Sequence, residues 1–277
     1  MTEFYKLSGS GNDFVALVDP QQEVTPDRLR AWCRRGVSLG ADGVFVLRRE
    51  ADGVGMDYYN ADGLPADLCL NGTRCAAQLA FHLGWAEGRT RIATGVGSIA
   101  AERRDGGRVA LEIPAGAIVP QALAVPAGGE SHAGYRVRVG VPHFVFPWSG
   151  PLEEAPVRTL GSALRRHPLF APEGTNVSFV QFPERHRLFV RTFERGVEDE
   201  TLACGSGVVA SVAAGIAAGA LDLPVEVETQ GGFPLRVEGG PGAGIWTLTG
   251  DARVVARGEL LPGAEIPAHP PSWLAAS

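Results

Sequence analysis

The stretch Ala66-Asp-Leu-Cys-Leu-Asn-Gly-Thr-Arg-Cys75 has a partner 135 residues further along the chain, Thr201-Leu-Ala-Cys-Gly-Ser-Gly207. In each stretch a cysteine, Cys69 or Cys204, stands just before a glycine-containing turn that opens a run of apolar residues at helical spacing. A residue in that place lies in the N-cap region of the helix that follows. The pattern therefore predicts two helices, each beginning at a cysteine.

Both predicted helices end at a glycine 15 positions after the cysteine, Gly84 in the first and Gly219 in the second. The second run, Val208 to Ala218, is apolar on almost every side, which predicts a buried helix wrapped by sheet. The unpaired N–H groups and the positive dipole end of a helix start favour an anion, either a thiolate or a ligand carboxylate. If both helix starts face one cleft, a single carboxylate would lie between two activated thiols.

Length and composition limit the classes of protein to which this chain can belong. With 277 residues, of which 45% are hydrophobic, it is long enough for one or two domains with a substantial core. It has no uncharged apolar stretch of about 18 residues and no secretion-type N-terminus, so we expect a cytoplasmic protein without a membrane segment. A net charge of −6 without basic clusters does not indicate a surface that binds nucleic acid or an anionic membrane.

Cysteine and lysine usage argues against several kinds of site. The four cysteines do not indicate a disulfide scaffold, and none of their spacings with a histidine matches a zinc site, so we expect free thiols and no metal. Cys33 and Cys75 fall inside predicted helices and are expected in the core. Lys6 is the only lysine and lies in a predicted strand, whereas a pyridoxal-phosphate enzyme needs a lysine for its Schiff base. Amino-acid chemistry here would therefore run without that cofactor, and no other cofactor is expected.

The two halves of the chain follow one plan. Cys69 and Thr94 are 25 residues apart, as are Cys204 and Thr229. The predicted strands before and after each cysteine recur in the same order. Matching periods of this kind predict a duplicated domain, because chance spacing does not readily produce them.

We place the break between the halves at Pro114 to Gly134, which is rich in alanine, glycine and proline. The predicted domains are residues 1–117 together with 252–277, and residues 118–251. The segment Asp251 to Leu261 is expected to return to the first domain as an added strand. In the first half, a helix is predicted from Pro26 to Arg35 and strands at Phe4 to Leu7, Phe14 to Val18, Val44 to Leu47, Met56 to Tyr59, Thr90 to Thr94, Ser98 to Arg103 and Val109 to Ile113.

Seven short motifs are spread along nearly the whole chain. They are G-S-G-N-D-F at 9–14, N-A-D-G at 60–63, C-L-N-G-T-R-C at 69–75, P-H-F at 142–144, T-N-V-S-F at 175–179, F-E-R-G at 193–196 and A-C-G-S-G at 203–207. In this order they resemble the diaminopimelate epimerase family. The resemblance is specific, because seven separate motifs would have to coincide.

The resemblance implies an α+β fold of two structurally similar domains, each a curled, mostly antiparallel sheet around a central helix. It also implies an isomerase that interconverts LL- and meso-2,6-diaminopimelate without a cofactor, in the biosynthesis of lysine and peptidoglycan precursors. The partner would be a small amino-acid substrate, and the enzyme would be a cytoplasmic homodimer. The duplication predicted from the spacing agrees with this fold.

The family mechanism transfers onto Cys69 and Cys204, with one thiolate as base and one thiol as acid on opposite faces of the substrate α-carbon. By the same resemblance, backbone N–H groups after each cysteine hold the α-carboxylate, where fixed dipoles stabilise the charge that develops. The matched residues are Leu70, Asn71, Gly205 and Ser206 for the carboxylate, Glu194 and His143 near the reactive amine, and Asn12, Asn60, Asn176 and Arg195 for the distal end.

Four features depart from the family pattern. Leu70 stands where a glycine is usual, Gly43 where a glutamine is common and Val141 where an asparagine usually precedes Pro-His. Leu70 still offers an N–H group if its backbone does not need a positive φ. There is also one extra residue in Val197-Glu-Asp-Glu200. A lost polar contact at Val141 bears more on which substrate is bound than on the chemistry.

Other classes of function stay open. A near alternative is a two-cysteine racemase or epimerase for another amino acid, of the proline type or for histidine, on the same fold. A more distant alternative is a thiol redox protein that uses Cys69 and Cys204, against which the absence of C-x-x-C counts. A non-catalytic binding protein is disfavoured by the presence of both thiols.

Overall fold

The computed structural model describes residues 2–21, 23–116 and 118–265, which form seventeen strands and four α-helices. The first half contains β1 (Thr2–Gly9), β2 (Asn12–Val18), α1 (Pro26–Cys33), β3 (Gly43–Glu50), β4 (Gly53–Asn60), α2 (Leu70–His82), β5 (Arg89–Thr94), β6 (Gly97–Arg104) and β7 (Arg108–Pro114). The second contains β8 (Gln121–Ala127), β9 (Glu130–Val139), β10 (Val141–Pro147), α3 (Val157–Arg165), β11 (Asn176–Glu184), β12 (Arg187–Glu194), β13 (Asp199–Thr201), α4 (Gly205–Ala217), β14 (Val225–Thr229), β15 (Leu235–Gly240), β16 (Ile245–Asp251) and β17 (Arg253–Leu260).

The strand pairings of the first half recur in the second. From β1 to β7 each strand pairs with the next, in parallel for β2 with β3 and for β4 with β5, and antiparallel otherwise. The series β9, β10, β11, β12, β14, β15 and β16 repeats these pairings in the same order, with its parallel pairs at β10–β11 and β12–β14. The predicted duplication and the predominance of antiparallel pairs are therefore confirmed.

The two halves are joined by strand pairing. β7 lies antiparallel to β16, so that the last strands of the two repeats are neighbours. Two of the remaining strands extend the outer edges, with β17 antiparallel to β1 and β8 antiparallel to β9, while the short β13 pairs antiparallel with the end of β12. The division into residues 1–117 with 252–277 and residues 118–251 stays a prediction, and residues 266–277 lie outside the described part of the chain.

Each parallel pair is connected through a helix, because a parallel connection must cross from one end of the sheet to the other. α2 and α4 make these connections on the inside, and α1 and α3 make them on the outside. The first eleven residues of α4, Gly205 to Gly215, are all buried, which confirms the helix predicted to be wrapped by sheet. No helix in the described ranges combines the length and apolar character needed to span a membrane.

The predicted break between the halves contains regular structure. Pro114 to Gly134 contains β8 and the start of β9, which form an antiparallel hairpin. Val125 of β8 is fully buried, while Gly128 and Gly129 at the turn have φ of 62° and 84°, in the left-handed region that glycine adopts most readily. The glycines of this stretch therefore mark a tight turn between two strands.

Candidate active site

Cys69 and Cys204 are the N-cap residues of α2 and α4, as the sequence predicts. Their backbones are extended, with φ and ψ of −138° and 103° for Cys69 and −112° and 105° for Cys204. The Gly72 N–H group donates a hydrogen bond to Cys69 Sγ at 3.4 Å. Cys204 Sγ lies 3.6 Å from Ser206 Oγ, and only 7% of the residue is exposed. Each thiol therefore lies at the electropositive start of a buried helix.

The starts of the two helices are in contact. A Cβ atom built on Gly205 would lie 2.9 Å from Leu70 Cβ and 3.1 Å from Asn71 Oδ1, so a larger residue does not fit without movement. The Asn71 side chain also crosses between the halves, because its Nδ2 donates to the Ala203 carbonyl oxygen at 2.9 Å. The first N–H groups of a helix have no partner within it. Two sets of such donors, one after each cysteine, are thus brought side by side.

Leu70, which departs from the family's glycine, retains its N–H group in the required place. It is the first residue of α2, is 2% exposed, and is not among the residues with positive φ. The backbone at position 70 therefore does not need a positive φ, and a leucine adopts it without strain. Its side chain packs into the core beside Gly205.

A buried arginine, which the sequence analysis missed, supports this contact. Arg74 is fully buried on α2, and its Nη2 donates to Asn71 Oδ1 at 2.7 Å and to Ser10 Oγ at 2.8 Å. Ser10 donates in turn to Asp251 Oδ1 through its backbone N–H at 2.7 Å. Asn12 Oδ1 accepts from Asn71 Nδ2 at 2.6 Å. The network holds the Asn71 amide in one orientation, with its carbonyl oxygen towards Arg74.

Glu194 lies at the end of β12, beside both thiols. Thr201 Oγ1 donates to its Oε1 at 2.5 Å, and its carboxyl group also hydrogen-bonds the Cys204 thiol. Its charge acts on Cys69 as well, which places all three groups in one cluster. Burial raises the pKa of Glu194 to about 6, against the opposing effect of the two hydrogen bonds. The carboxyl group is mostly ionised at neutral pH.

The two thiols are protonated at neutral pH. Burial raises the pKa of Cys69 to about 11, although the Gly72 N–H group and Tyr58 act in the opposite direction. Burial, followed by the Glu194 charge, raises the pKa of Cys204 well above its usual value. The helix starts therefore do not by themselves lower the pKa of either thiol, contrary to the expectation of activated thiols. Desolvation outweighs the helix end, because it acts on the whole thiolate charge whereas one N–H group offers a partial charge.

The residues predicted for the distal end of the substrate come from both halves. Arg195 follows β12, and its backbone N–H donates to Asn176 Oδ1 at 2.8 Å. The Asn60 amide nitrogen, at the end of β4, lies 3.9 Å from the Cβ position of Gly196. Asn60 and Arg195 therefore lie on opposite sides of the junction between the halves. Asn176 orients the Arg195 backbone, since its own amide nitrogen donates to the Pro142 carbonyl.

His143 lies in the wall behind this cluster. It pairs in register with Asn176 on the neighbouring strand, is fully buried, and within the described residues neither ring nitrogen has a hydrogen-bond partner. Burial, with smaller contributions from Arg195 and Arg138, lowers the pKa of His143 to about 3, so the imidazole is neutral. In this arrangement its nitrogens are shielded from solvent.

The structure connects most of the predicted residues by direct contacts. The helices touch at four of them, Leu70, Asn71, Gly205 and Asn12, and the thiol cluster contains Cys69, Cys204, Ser206 and Glu194. A third group contains the residues predicted for the distal end, Asn60, Asn176 and Arg195, together with His143, which was predicted near the reactive amine but pairs in register with Asn176. The role of each residue stays a prediction. The residues missed are Arg74, Tyr58 and Thr201. The only signal for Arg74 is a charged residue within an otherwise apolar helical run.

Comparison of the sequence with known proteins gives one consistent family. The family model described as diaminopimelate epimerase matches residues 4–116 and 135–255. The chain is 36% identical over 275 residues to the diaminopimelate epimerase of Aquifex aeolicus (strain VF5), with 93% of this chain and 97% of the relative covered. It is 39% identical over 280 residues to that of Gemmatimonas aurantiaca (strain DSM 14586 / JCM 11422 / NBRC 100505 / T-27), with 93% and 98% covered.

Among solved structures, the fold is similar to that of a probable proline racemase from Agrobacterium radiobacter K84. The TM-score is 0.74 at 15% identity, and 96% of each chain is covered. At this identity the likeness concerns the fold alone, and it confirms the predicted α+β architecture of two similar units. With the family model matching both halves and curated relatives covering nearly the full length, the chain belongs to the diaminopimelate epimerase family.

Proposed function

We propose that this protein is an isomerase that interconverts LL- and meso-2,6-diaminopimelate in the biosynthesis of lysine and peptidoglycan precursors. The observation that carries the proposal is the pair of cysteines at the starts of two touching helices, one from each half. Its relatives in Aquifex aeolicus and Gemmatimonas aurantiaca are named diaminopimelate epimerases. The only lysine, Lys6, which would have to form the Schiff base of a pyridoxal-phosphate enzyme, forms an ion pair with Asp13 at 2.6 Å.

Inversion of a stereocentre requires removal of a proton from one face and delivery of a proton to the other. Cys69 and Cys204 serve these two roles, one as thiolate base and the other as thiol acid, and exchange roles in the reverse direction. The duplicated fold supplies two equivalent groups, each at the start of its own helix. A planar carbanionic intermediate between them would be reached from both sides.

The N–H groups of Leu70, Asn71, Gly205 and Ser206 hold the α-carboxylate of the substrate. As the α-proton leaves, negative charge develops on this carboxylate, and donors fixed at two helix starts stabilise it more in the transition state than in the ground state. The network around Asn71 and Arg74 keeps one helix start in place against the other. The donors are therefore oriented before the reaction begins.

Ionisation of the base must be coupled to substrate binding. With a pKa of about 11 for Cys69, forming the thiolate at about pH 8 costs about 4 kcal/mol. An ammonium group within 4–6 Å lowers a neighbouring pKa by about 1–3 units. The α-ammonium of the substrate, held by the ionised Glu194, lies in the place to supply this effect. The thiolate therefore forms mainly in the loaded site.

Asn12, Asn60, Asn176 and Arg195 hold the distal end of the substrate, with the Arg195 guanidinium pairing with the distal carboxylate. Val141, where the family usually has an asparagine, offers no polar contact there. The neutral His143 backs this side of the cleft as part of its wall. Selection between diaminopimelate and smaller amino acids depends on this region.

We further propose that the enzyme acts as a cytoplasmic homodimer with a small amino acid as its only partner. This rests on the family resemblance. Light scattering coupled to size-exclusion chromatography should give about twice the chain mass of 29.1 kDa. A mass that stays at one chain across the working concentration range would exclude the dimer.

The function is tested by incubating the protein in D2O with LL-diaminopimelate and with a panel that includes proline and histidine. We expect meso-diaminopimelate to form with deuterium at one α-carbon, and little exchange in the others. Exchange of proline or histidine without exchange of diaminopimelate would favour the alternative, a racemase of another amino acid, to which the shared fold and Val141 point. Exchange in none of them would overturn the proposal.

A thiol redox function is disfavoured by the thiols themselves. Redox-active cysteines have a depressed pKa, whereas burial raises the pKa of both Cys69 and Cys204. The same panel experiment separates this alternative, because a redox protein would exchange no α-proton.

A further inference from the structure

Gly43 forms a socket for the Tyr58 side chain. The two residues lie on the paired strands β3 and β4, where Gly43 is opposite Asn60 and Phe45 is opposite Tyr58. A Cβ atom at position 43 would lie 2.6 Å from the Tyr58 hydroxyl oxygen and 2.8 Å from Tyr58 Cε2. Gly43 is not among the glycines with positive φ, so space, not backbone conformation, accounts for the missing side chain. The same Cβ atom would lie 2.8 Å from the Tyr59 carbonyl oxygen, so the Tyr58 ring and the backbone of β4 together leave no room for a side chain at position 43.

From this socket the Tyr58 phenol reaches the Cys69 thiol. The loop between β4 and α2 folds back onto Tyr58, with the Ala66 N–H donating to the Tyr58 carbonyl oxygen at 3.0 Å, three residues before Cys69. The ring also packs edge-on against Phe14, with centroids 6.2 Å apart. The hydroxyl lies close enough to Cys69 to lower the pKa of its thiol, and the thiol in turn raises the pKa of the phenol. Tyr58 is thus held from both sides with its hydroxyl at the thiol.

Within the described part of the chain, the second half has no counterpart of Tyr58 beside its cysteine. The strand register pairs Ser178 with Thr192 on β11 and β12, in the position that Phe45 and Tyr58 take on β3 and β4. Thr192 is short, and its hydroxyl is paired with Ser178 Oγ at 3.0 Å. A phenol is therefore supplied to one thiol of the pair only.

We propose that Tyr58 is a positioning residue whose hydroxyl donates a hydrogen bond to the Cys69 thiolate and makes Cys69 the thiol that ionises first. Its consequence for catalysis rests on the proposed function. Burial raises the pKa of Tyr58 well above its usual value, so the phenol keeps its proton and remains a donor when Cys69 has lost its own. The Glu194 charge opposes ionisation of both thiols, but at Cys69 the Gly72 N–H group, Tyr58 and Arg74 act in the opposite direction, whereas at Cys204 Glu194 is the largest effect after burial.

The test is the pH dependence of Cys69 alkylation by iodoacetamide in the substrate-free protein, followed on the Cys69 peptide by mass spectrometry. Only the thiolate reacts, so the rate at each pH below the pKa reports the ionised fraction. Tyr58→Phe removes the hydroxyl and keeps the ring. We expect Cys69 to react about tenfold more slowly at every pH between about 7 and 9, since a hydrogen bond to a charged group shifts the pKa by about one unit.

The matched control is Tyr59→Phe, the same change at the next residue, whose side chain packs on the other face of β4 in the core beside α1. In Tyr59→Phe, Cys69 should be alkylated at the same rate as in the unmodified protein. The alkylation rate of Cys204 should be unchanged in both variants. The buried Cys33 and Cys75 report folding in the same spectra, because they react only if the fold opens. Should Tyr58→Phe misfold, Tyr58→Met removes the hydroxyl with a flexible apolar replacement. An unchanged Cys69 rate in a folded variant would overturn the inference.

The alkylation experiment uses no substrate, so its outcome does not depend on the proposed function. In the epimerase assay, Tyr58→Phe should lower kcat about tenfold, with a smaller change in KM, because the hydroxyl acts on the base and not on substrate binding. If the unmodified protein does not turn over diaminopimelate, the proposed function fails while the thiol result still decides the role of Tyr58. Equal loss of kcat in Tyr58→Phe and Tyr59→Phe would show a structural effect instead.

Discussion

Replacing Gly205 with alanine tests the contact between the two helix starts. A Cβ atom at this position would lie 2.9 Å from Leu70 Cβ and 3.1 Å from Asn71 Oδ1. Carbon atoms pack at about 3.5–4.0 Å, so the helix starts must separate by roughly 0.6–1.1 Å. A misplacement of about 1 Å costs roughly a hundredfold in rate, which equals about 2.7 kcal/mol of transition-state stabilisation.

Stability should change less than activity. Overpacking of a core position costs about 1–3 kcal/mol, whereas alanine in place of glycine favours a helix by about 1 kcal/mol. The net loss in the free energy of unfolding is therefore about 0–2 kcal/mol. The variant should remain folded while its thiols and N–H donors no longer share one geometry.

The assay is the initial rate of meso-diaminopimelate formation from the LL isomer, with thermal unfolding measured in parallel. Gly242→Ala is the matched control, because a Cβ atom there meets no atom within 4 Å and its φ is not positive. We expect the control to keep full activity. Full activity in folded Gly205→Ala would refute the view that contact between the helix starts sets the geometry of the site.

Three further predictions concern the thiol cluster and the distal end. Activity should rise as the pH increases through about 6, where Glu194 ionises, and Glu194→Gln should remove that limb. Because its pKa is raised from 4.5, Glu194 favours the fold at low pH and loses this contribution as the pH rises through about 6, which denaturant titrations at several pH values would detect. Arg195→Lys should lower kcat/KM by roughly thirtyfold, about 2 kcal/mol, if the guanidinium grips a carboxylate in two places; an unchanged constant would give Arg195 another role. Cys69→Ala and Cys204→Ala should each abolish epimerisation, yet eliminate halide from β-halogenated analogues of opposite configuration, which chiral chromatography of the residual analogue would show.

The sequence predicted the duplication because the two halves keep the same spacing between corresponding residues. The equal distances from Cys69 to Thr94 and from Cys204 to Thr229 correspond to the same path from a helix start to the end of the following strand. The stretch from Pro114 to Gly134 was predicted only as a break, whereas its glycines serve a hairpin turn and Ala122 and Ala124 face outward from a strand with one buried valine. Composition does not separate a turn between strands from a linker.

The sequence predicted where the site residues lie, but it did not predict their pKa shifts. The N-cap placement of Cys69 and Cys204 follows from local pattern, since it depends on residues close in the chain. The raised pKa of the thiols depends on burial by residues far apart in sequence, which no local pattern encodes. Tyr58 and Arg74 were missed for the same reason. Their roles arise from contacts with Gly43 and Ser10, made only when the strands and α2 pack.

The central claim, two thiols on opposite faces of one carbon, is tested most directly by the isotope distribution at the earliest times of reaction in D2O. A thiol carries one proton, so the base removes protium while the deuterated acid delivers deuterium from the other face. We expect the first meso-diaminopimelate formed from LL substrate to carry deuterium at the inverted carbon, while the unreacted LL substrate carries almost none. Early product that retains protium at that carbon would mean that one group moves the same proton between faces, and would contradict the account.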